Sequence, residues 1–213
     1  MPYDKYFSYF PTVPYELFDG STKHKVVTDI LKRVRATLEA RTDKTIYSTY
    51  RVRDGETPEH IAYNYYGSAH YHWVVLLMND IRDPQWSWPL DQDSFERFIV
   101  NKYGSMVNAI NITHHYETNE LRATSNSDLY SIGDVVLPAG IVANSTFQYE
   151  YTDITNGVAG QTRTYTSAVA VSEVTAYDYE VKQNEKNADI VLLRKGLLQE
   201  FVDTFESLLV QKR

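Results

Sequence analysis

The chain has no cysteine. That excludes disulfide scaffolds, zinc–thiolate sites and thiol nucleophiles, and it fits synthesis in a reducing cytosol. Long apolar runs are missing too. The longest, Trp73 to Met78, is far too short to cross a bilayer. Asp4, Lys5 and Glu16 interrupt the first aromatics, so no signal-peptide core is expected. No basic stripe exists, and the formal net charge is -7, so nucleic acid is not an expected partner. The densest basic stretch, Lys32 to Arg41, is broken by Val34, Leu38 and Glu39 and reads as the wet face of a helix. There is no Gly-x-Ser-x-Gly, no phosphate-binding loop, no dinucleotide fingerprint and no internal repeat. Two glycosylation-type triplets, at Asn111 and Asn144, read as chance.

Tyrosine is abundant, with 18 residues against 8 Phe and 3 Trp. A ring that can be buried while its hydroxyl stays wet suits strands, core edges and surfaces covered on assembly alike. Seven aromatics (Tyr3, Tyr6, Phe7, Tyr9, Phe10, Tyr15, Phe18) crowd the first 18 positions with Pro11 and Pro14. The prolines argue against a central strand or regular helix. The segment is therefore expected to be an irregular arm that docks on its own chain or on a partner, the energetic balance favouring an arm that orders in the assembled particle, with Asp19-Gly20-Ser21 as its turn. An amphipathic helix is expected over roughly 26–40, since Val26, Val27, Ile30, Leu31, Val34 and Leu38 share one stripe.

Residues 46–104 carry the clearest local signals. Ile46 to Val52 is Tyr-rich and β-branched, as a strand would be. Asp54-Gly55 turns the chain, Thr57-Pro58 starts a helix, and Gly67 stops it. Ser68 can cap a second helix ending at Asn79-Asp80. Asp83-Pro84 opens an aromatic loop with Trp86 and Trp88, and Asp91 or Asp93 can cap a third helix closed by Gly104. Residues 105–188 read mostly as strands. Phe147, Tyr149 and Tyr151 alternate with polar residues, and Asn156-Gly157 with Gly160 mark a hairpin loop. A helix with a weak pattern is expected over 174–187. Ile190 to Leu193 is a short apolar strand, and Leu197 to Val210 is an amphipathic helix. The expected class is α+β, with an arm and helix (1–45), a strand–helix–helix block with an extra helix (46–104), and a β-rich domain closed by the terminal helix (105–213).

Catalytic and metal chemistry find little support. His70 and His72 lie two apart on a helix, and His114 and His115 are adjacent in a strand, so each pair should diverge. Asp80, Asp83, Asp91 and Asp93 cluster in sequence, but most sit where helices end or begin. No enzyme activity, metal or cofactor is implied.

The run Tyr50-Arg-Val-Arg-Asp-Gly55-Glu-Thr57-Pro58-Glu-His-Ile61-Ala62-Tyr-Asn-Tyr-Tyr66-Gly67 resembles the first half of a LysM module, and Trp73 to Asn79 supplies its second helix. The second strand expected there is replaced by Asp83-Pro84 and Trp88-Pro89. With His72-Trp73-Val74 and Leu77-Met-Asn79-Asp80, that string resembles the LysM-containing baseplate wedge subunits of T-even-type phages. Phe7 to Tyr15 is similar to the N-terminal arm of cyanophage-like members. The resemblance implies a virion protein made in the host cytoplasm. It would clamp other wedge subunits and the sheath-initiating, lysozyme-like subunit. It also implies a groove formed by Gly55, Glu56, Thr57 and Pro58 on one side and Asn79, Asp80 and Ile81 on the other. That groove could hold a protein partner or, alternatively, N-acetylglucosamine chains of peptidoglycan. Tyr6, Phe7, Tyr9, Phe10, Trp86 and Trp88 are the expected partner contacts. The tryptophans could also stack on sugar rings or fill the space of the absent strand.

Overall fold

The computed structural model describes residues 6–16, 24–32, 34–35 and 43–210. The chain is α+β, and it divides into two compact units: Met1–Gln92 together with Asn184–Arg213, and Asp93–Gln183.

The first unit begins with a 3-10 turn, Tyr6–Tyr9, followed by an antiparallel hairpin of β1 (Thr12–Glu16) and β2 (His24–Thr28). Both differ from the sequence expectation. The stripe at 26–34 is not a buried helical face: Val26 and Leu31 are 73% and 91% exposed. Consecutive β-branched residues at Val26, Val27 and Thr28 favour the extended chain instead. The part of the expected helix at 36–40 lies outside the described residues, as do Tyr3, Phe18 and the expected turn at 19–21. Pro14 does not break the ladder, because of register. The Asp29 N–H donates to the Pro11 carbonyl, and residues 12 to 16 pair with 28 to 24, so the bonded pairs are 11/29, 13/27 and 15/25. Pro14, opposite Val26, falls at a position whose N–H would point away from β2.

From residue 43 the chain follows its local signals. β3 is Tyr47–Arg51, and Gly55 takes φ +72° in the turn that follows. The Thr57 hydroxyl accepts from the His60 N–H at 3.3 Å, and Pro58 opens α1 (Pro58–Tyr66). Gly67 ends it in the left-handed region, its N–H donating to the Tyr63 carbonyl at 2.9 Å. Ser68 caps a 3-10 turn, Ala69–Tyr71, that runs straight into α2 (His72–Met78). Ile61 and Ala62 of α1 and Trp73, Val74, Val75 and Met78 of α2 are buried, each large side chain contributing about 1.5–3 kcal/mol. Asp83 caps the short α3 (Pro84–Ser87), so a helical turn stands where a loop was expected.

The second unit starts within α4 (Gln92–Tyr103), the third helix of the expected 46–104 block. Gly104 closes α4, and Ser105 caps α5 (Met106–Asn111), a helix where strands were expected. β4 (Thr113–Thr118), β5 (Leu121–Arg122), β6 (Val135–Leu137) and β7 (Val142–Ala143) follow. Next come β8 (Tyr149–Thr155), β9 (Val158–Tyr165), α6 (Ser167–Ala170), β10 (Val171–Thr175) and α7 (Ala176–Ala188). The sheets are β10-β4-β7, β5-β6 and β8-β9. The β8–β9 turn is Asn156-Gly157, both at positive φ, as a tight hairpin requires. Gly160 lies inside β9 rather than in the loop. A Cβ there would meet the Asp153 carbonyl at 3.0 Å, so the strands approach closely only with glycine at that point. Leu121, Ala123, Val136, Leu137 and Tyr151 form this unit's buried cluster. Buried Glu180 is matched by Lys102 Nζ at 2.6 Å and by the Tyr103 hydroxyl at 2.8 Å.

The chain then returns to the first unit. β11 (Asp189–Leu193) pairs antiparallel with β3, Asp189 opposite Arg51 and Leu193 opposite Tyr47. A 3-10 turn, Lys195–Leu197, leads into α8 (Leu198–Val210). The strand that seemed absent after α2 is therefore present, about a hundred residues later, and β3-α1-α2-β11 makes a complete βααβ motif. The half-buried Tyr66 hydroxyl donates to the Leu193 carbonyl at 3.0 Å and ties α1 to β11. Val202, Phe205 and Leu209 of α8 pack with Trp73, Val74, Met78 and Leu193. The terminal strand and helix complete the first unit and do not close the β-rich one.

Candidate functional site

The two sides of the groove expected from the sequence are the β3–α1 turn and the end of α2. At the turn, the Glu56 carboxylate accepts from the Tyr50 hydroxyl at 2.8 and 3.0 Å and from the Arg53 N–H at 2.9 Å. Burial and then the Glu56 hydrogen bond push the Tyr50 phenol up from its ordinary value, so it stays a donor. Gly55 supplies the left-handed turn, Thr57 is spent as the helix cap, and Pro58 is buried.

On the other side, Asn79 is committed to the backbone. Its Nδ2 donates to the carbonyls of Val75 and Val191, both at 2.8 Å, and its Oδ1 accepts from the Val191 N–H at 2.9 Å. One amide thus closes α2 and fastens it to β11. Asp80 takes φ +52°, a conformation that short polar side chains tolerate. Its carboxylate accepts from Arg35 at 2.7 and 3.3 Å and has Arg82 at 3.5 Å. The Arg35 hydrogen bond is the main cause that lowers its pKa to about 2. The Ile81 N–H donates to the Leu76 carbonyl at 2.9 Å.

Trp88 links the two sides. Its Nε1 donates to the Glu56 carbonyl at 2.8 Å, and its ring is buried in a cluster with Val52, Ile61, Ala62, Val75, Ile190 and Leu192, against which Ile81 also packs. The indole is part of the chain's own core and is not an exposed contact. Trp86 lies in α3, and its side chain is outside those described. Leu90 and Asn184 exchange two bonds, Leu90 N–H to Oδ1 at 2.7 Å and Nδ2 to the Leu90 carbonyl at 3.0 Å.

The aromatic arm also folds back onto its own unit. Phe10 is 7% exposed and belongs to the Trp73–Phe205 cluster, with Tyr6 and Tyr9 packed against it. The Tyr6 ring lies 5.6 Å from Trp73 and 5.7 Å from Phe205, and Trp73 and Phe205 are 4.6 Å apart. Of the four arm residues expected to touch a partner, Phe7 alone is largely open, at 58%. Prolines did not prevent docking, because side-chain burial rather than backbone pairing holds this stretch.

The remaining candidates give no converging chemistry. Asp80 is held by arginine, and Asp83 caps α3 by accepting from the Gln85 N–H at 3.1 Å. His72 Nδ1 is 3.1 Å from the Ala69 carbonyl, a local turn contact. His114 and His115 do not diverge as expected: their Nδ1 atoms are 2.8 Å apart. His114 stacks on Tyr179 at 3.9 Å, while His115 Nε2 reaches Glu117 at 3.0 Å, and Lys182 holds the other Glu117 oxygen at 2.6 Å. A partner ring on α7 thus overrides the alternation of the strand. Among the described residues no group of three or more His, Asp or Glu could hold a metal ion, and no helix is long and apolar enough to cross a membrane.

The family of base plate wedge protein 53 matches residues 7–208. The baseplate wedge protein gp53 of Enterobacteria phage T4 is 26% identical over 158 residues, covering 73% of this chain and 69% of that protein. Because the family match runs through both compact units and nearly from end to end, the chain belongs to the base plate wedge protein 53 family and is a component of the phage virion tail.

Proposed function

We propose that the chain clamps neighbouring wedge subunits of the baseplate through its βααβ motif, read as a LysM-like module turned to protein contact. The partners on this reading are the other wedge proteins and the sheath-initiating subunit with its lysozyme-like fold. One observation carries the reading: the groove side chains are spent within the chain. Glu56 serves Tyr50 and Arg53, Asn79 serves β11, Asp80 serves Arg35, and Trp88 is buried between them. A sugar site needs polar groups free to meet hydroxyls and an aromatic face open for stacking. What is built here is a stiff scaffold, and stiff scaffolds suit assembly because little order is lost on docking. The exposed Phe7 and Tyr63 are available as anchors on this unit.

The test sets two binding partners side by side. The full chain is incubated with insoluble peptidoglycan and, separately, with the purified wedge proteins of its own phage. We expect stable co-assembly with the wedge proteins, no retention on peptidoglycan and no clearing of it. Retention competed away by N-acetylglucosamine oligomers would replace the protein-contact reading with a glycan-binding one. Clearing abolished by Asp80→Asn or Asp83→Asn would make the chain a hydrolase.

A further inference from the structure

The β1–β2 hairpin is a two-stranded sheet whose strands are exposed almost throughout. A lone hairpin is marginal in water, and its outer edges offer unpaired main-chain groups. The two edges are not equivalent. Bonded pairs fall at 11/29, 13/27 and 15/25, so residues 12, 14 and 16 of β1 and 24, 26 and 28 of β2 turn their main-chain groups outward. On β1 the middle outward position is Pro14, which has no N–H, and that edge is blunted. On β2 the matching position is Val26, which has one. Among the described residues no strand pairs with the outer edge of β2.

We infer that the outer edge of β2 receives an extended strand of another baseplate protein, which adds to the hairpin as a third strand. The outward groups of His24 and Val26 ask for peptide backbone and not for a helix or a sugar, while the Thr28 carbonyl, which already accepts from the Ile30 N–H at 3.0 Å, ends the row. Side chains state the chemistry of the occupant. On one face Val26, 73% exposed, stands beside Pro14, so the incoming residue opposite Val26 is apolar. On the other face Lys25 lies between Tyr15 and Val27 and has no carboxylate partner among the described residues, so the incoming residue next to it is acidic. A second copy of this chain fits poorly. Antiparallel pairing centred on Val26 would leave both lysines unmatched, and the register two residues along, which sets Lys25 opposite Asp29 of the copy, would set Val26 opposite polar Thr28, so neither meets both requirements. This inference rests on the reading of the chain as an assembly subunit, but it concerns a surface apart from the βααβ groove.

The test is Val26→Pro in the full chain, because proline is tolerated by the hairpin at an outward position, as Pro14 shows directly across the ladder. Mixed with the purified wedge proteins of the same phage, Val26→Pro should bind about tenfold more weakly or worse, since one partner carbonyl loses its donor. Val26→Ile, which keeps both the N–H and an apolar side chain, should bind as the parent does, and Lys25→Glu should weaken binding with the same thermal melting as the parent. If Val26→Pro and Lys25→Glu both assemble normally, the edge is not a docking site. Equal failure of Val26→Pro and Val26→Ile would mean that the side chain and not the backbone is read, and the inference falls. A dimer of the isolated chain that Val26→Pro dissolves would make the occupant a second copy, which also overturns it. Should the parent chain bind no wedge protein at all, the assembly reading itself fails, an outcome distinct from the others.

Discussion

Asn79 and Trp88 do at the residue scale what longer connections do elsewhere. Both were candidates for external contacts, and both are spent on internal ones. Replacing Asn79 by Leu keeps the volume but leaves the Val191 N–H and the Val75 and Val191 carbonyls without their side-chain partner. A cost of about 1–3 kcal/mol for each group left unpaired is expected, read as a lower midpoint in urea unfolding. Trp88→Ala removes a buried indole and the donor to the Glu56 carbonyl, and should cost about 3–5 kcal/mol. If thermal melting is unchanged while assembly fails, Trp88 is a partner contact after all. Asp80 sets a pH dependence. Its folded pKa, about 2, lies below the ordinary 3.8, so its ion pair stabilises the fold fully above pH 3.8 and loses that effect as pH falls toward 2. Asp80→Asn tolerates the same left-handed backbone but lacks the charge. The stability gap between parent and variant should close as pH falls through that window. A gap of the same size at pH 2.5 and pH 6 would show that charge is not what Asp80 contributes.

At the element scale, the signals that worked were local ones. The Thr57-Pro58 start, the Gly67 stop and the Asn156-Gly157 turn stand where their chemistry requires, because a cap or a positive φ is satisfied within a few residues. The failures share a cause. Val26 to Val34 has apolar spacing compatible with a helix, but a stripe forms a helix only where there is a surface to bury it. Here the β-branched run pairs with β1 instead. Pro14 by itself argues against a paired strand, yet alternate strand positions do not use their N–H toward the neighbour, and only the register tells which positions those are. The α8 stripe, by contrast, found its core: Val202, Phe205 and Leu209 pack on Trp73 and Met78. Phe205→Ala should therefore cost about 3–5 kcal/mol and loosen the docked arm as well, since Tyr6 and Phe10 lean on the same ring. Hydrogen exchange over residues 6–10 would rise with it. Unchanged exchange would mean that Trp73 alone holds the arm.

For the whole molecule, the decisive feature is a motif interrupted by a second unit. β11 and α8 belong with β3, α1 and α2, although residues 93–183 lie between them in the chain. A fragment ending at 104, the boundary suggested by sequence, lacks Leu193, Val202, Phe205 and Leu209 and should show no cooperative melting. Replacing 93–183 with a short Gly-Ser linker should do the opposite. Leu90 and Asn184 are already hydrogen-bonded to each other, so a few residues can bridge them and the first unit should melt cooperatively by itself. A folded 1–104 fragment would contradict the role assigned to β11.

By itself the sequence determined the class of the protein and its negative properties: α+β, without thiol chemistry, membrane-spanning run or nucleotide loop. It also determined the resemblance to baseplate wedge subunits, because turns, caps and stops are short-range and legible. It carried the apolar strand at 190–193 as well, but not its partner. Tertiary structure alone decided that this strand completes the βααβ motif, that the arm turns inward, and that the groove residues serve their own chain. The physical reason is that each of these depends on contacts across many residues of sequence, where local propensity is silent and burial chooses among several compatible pairings.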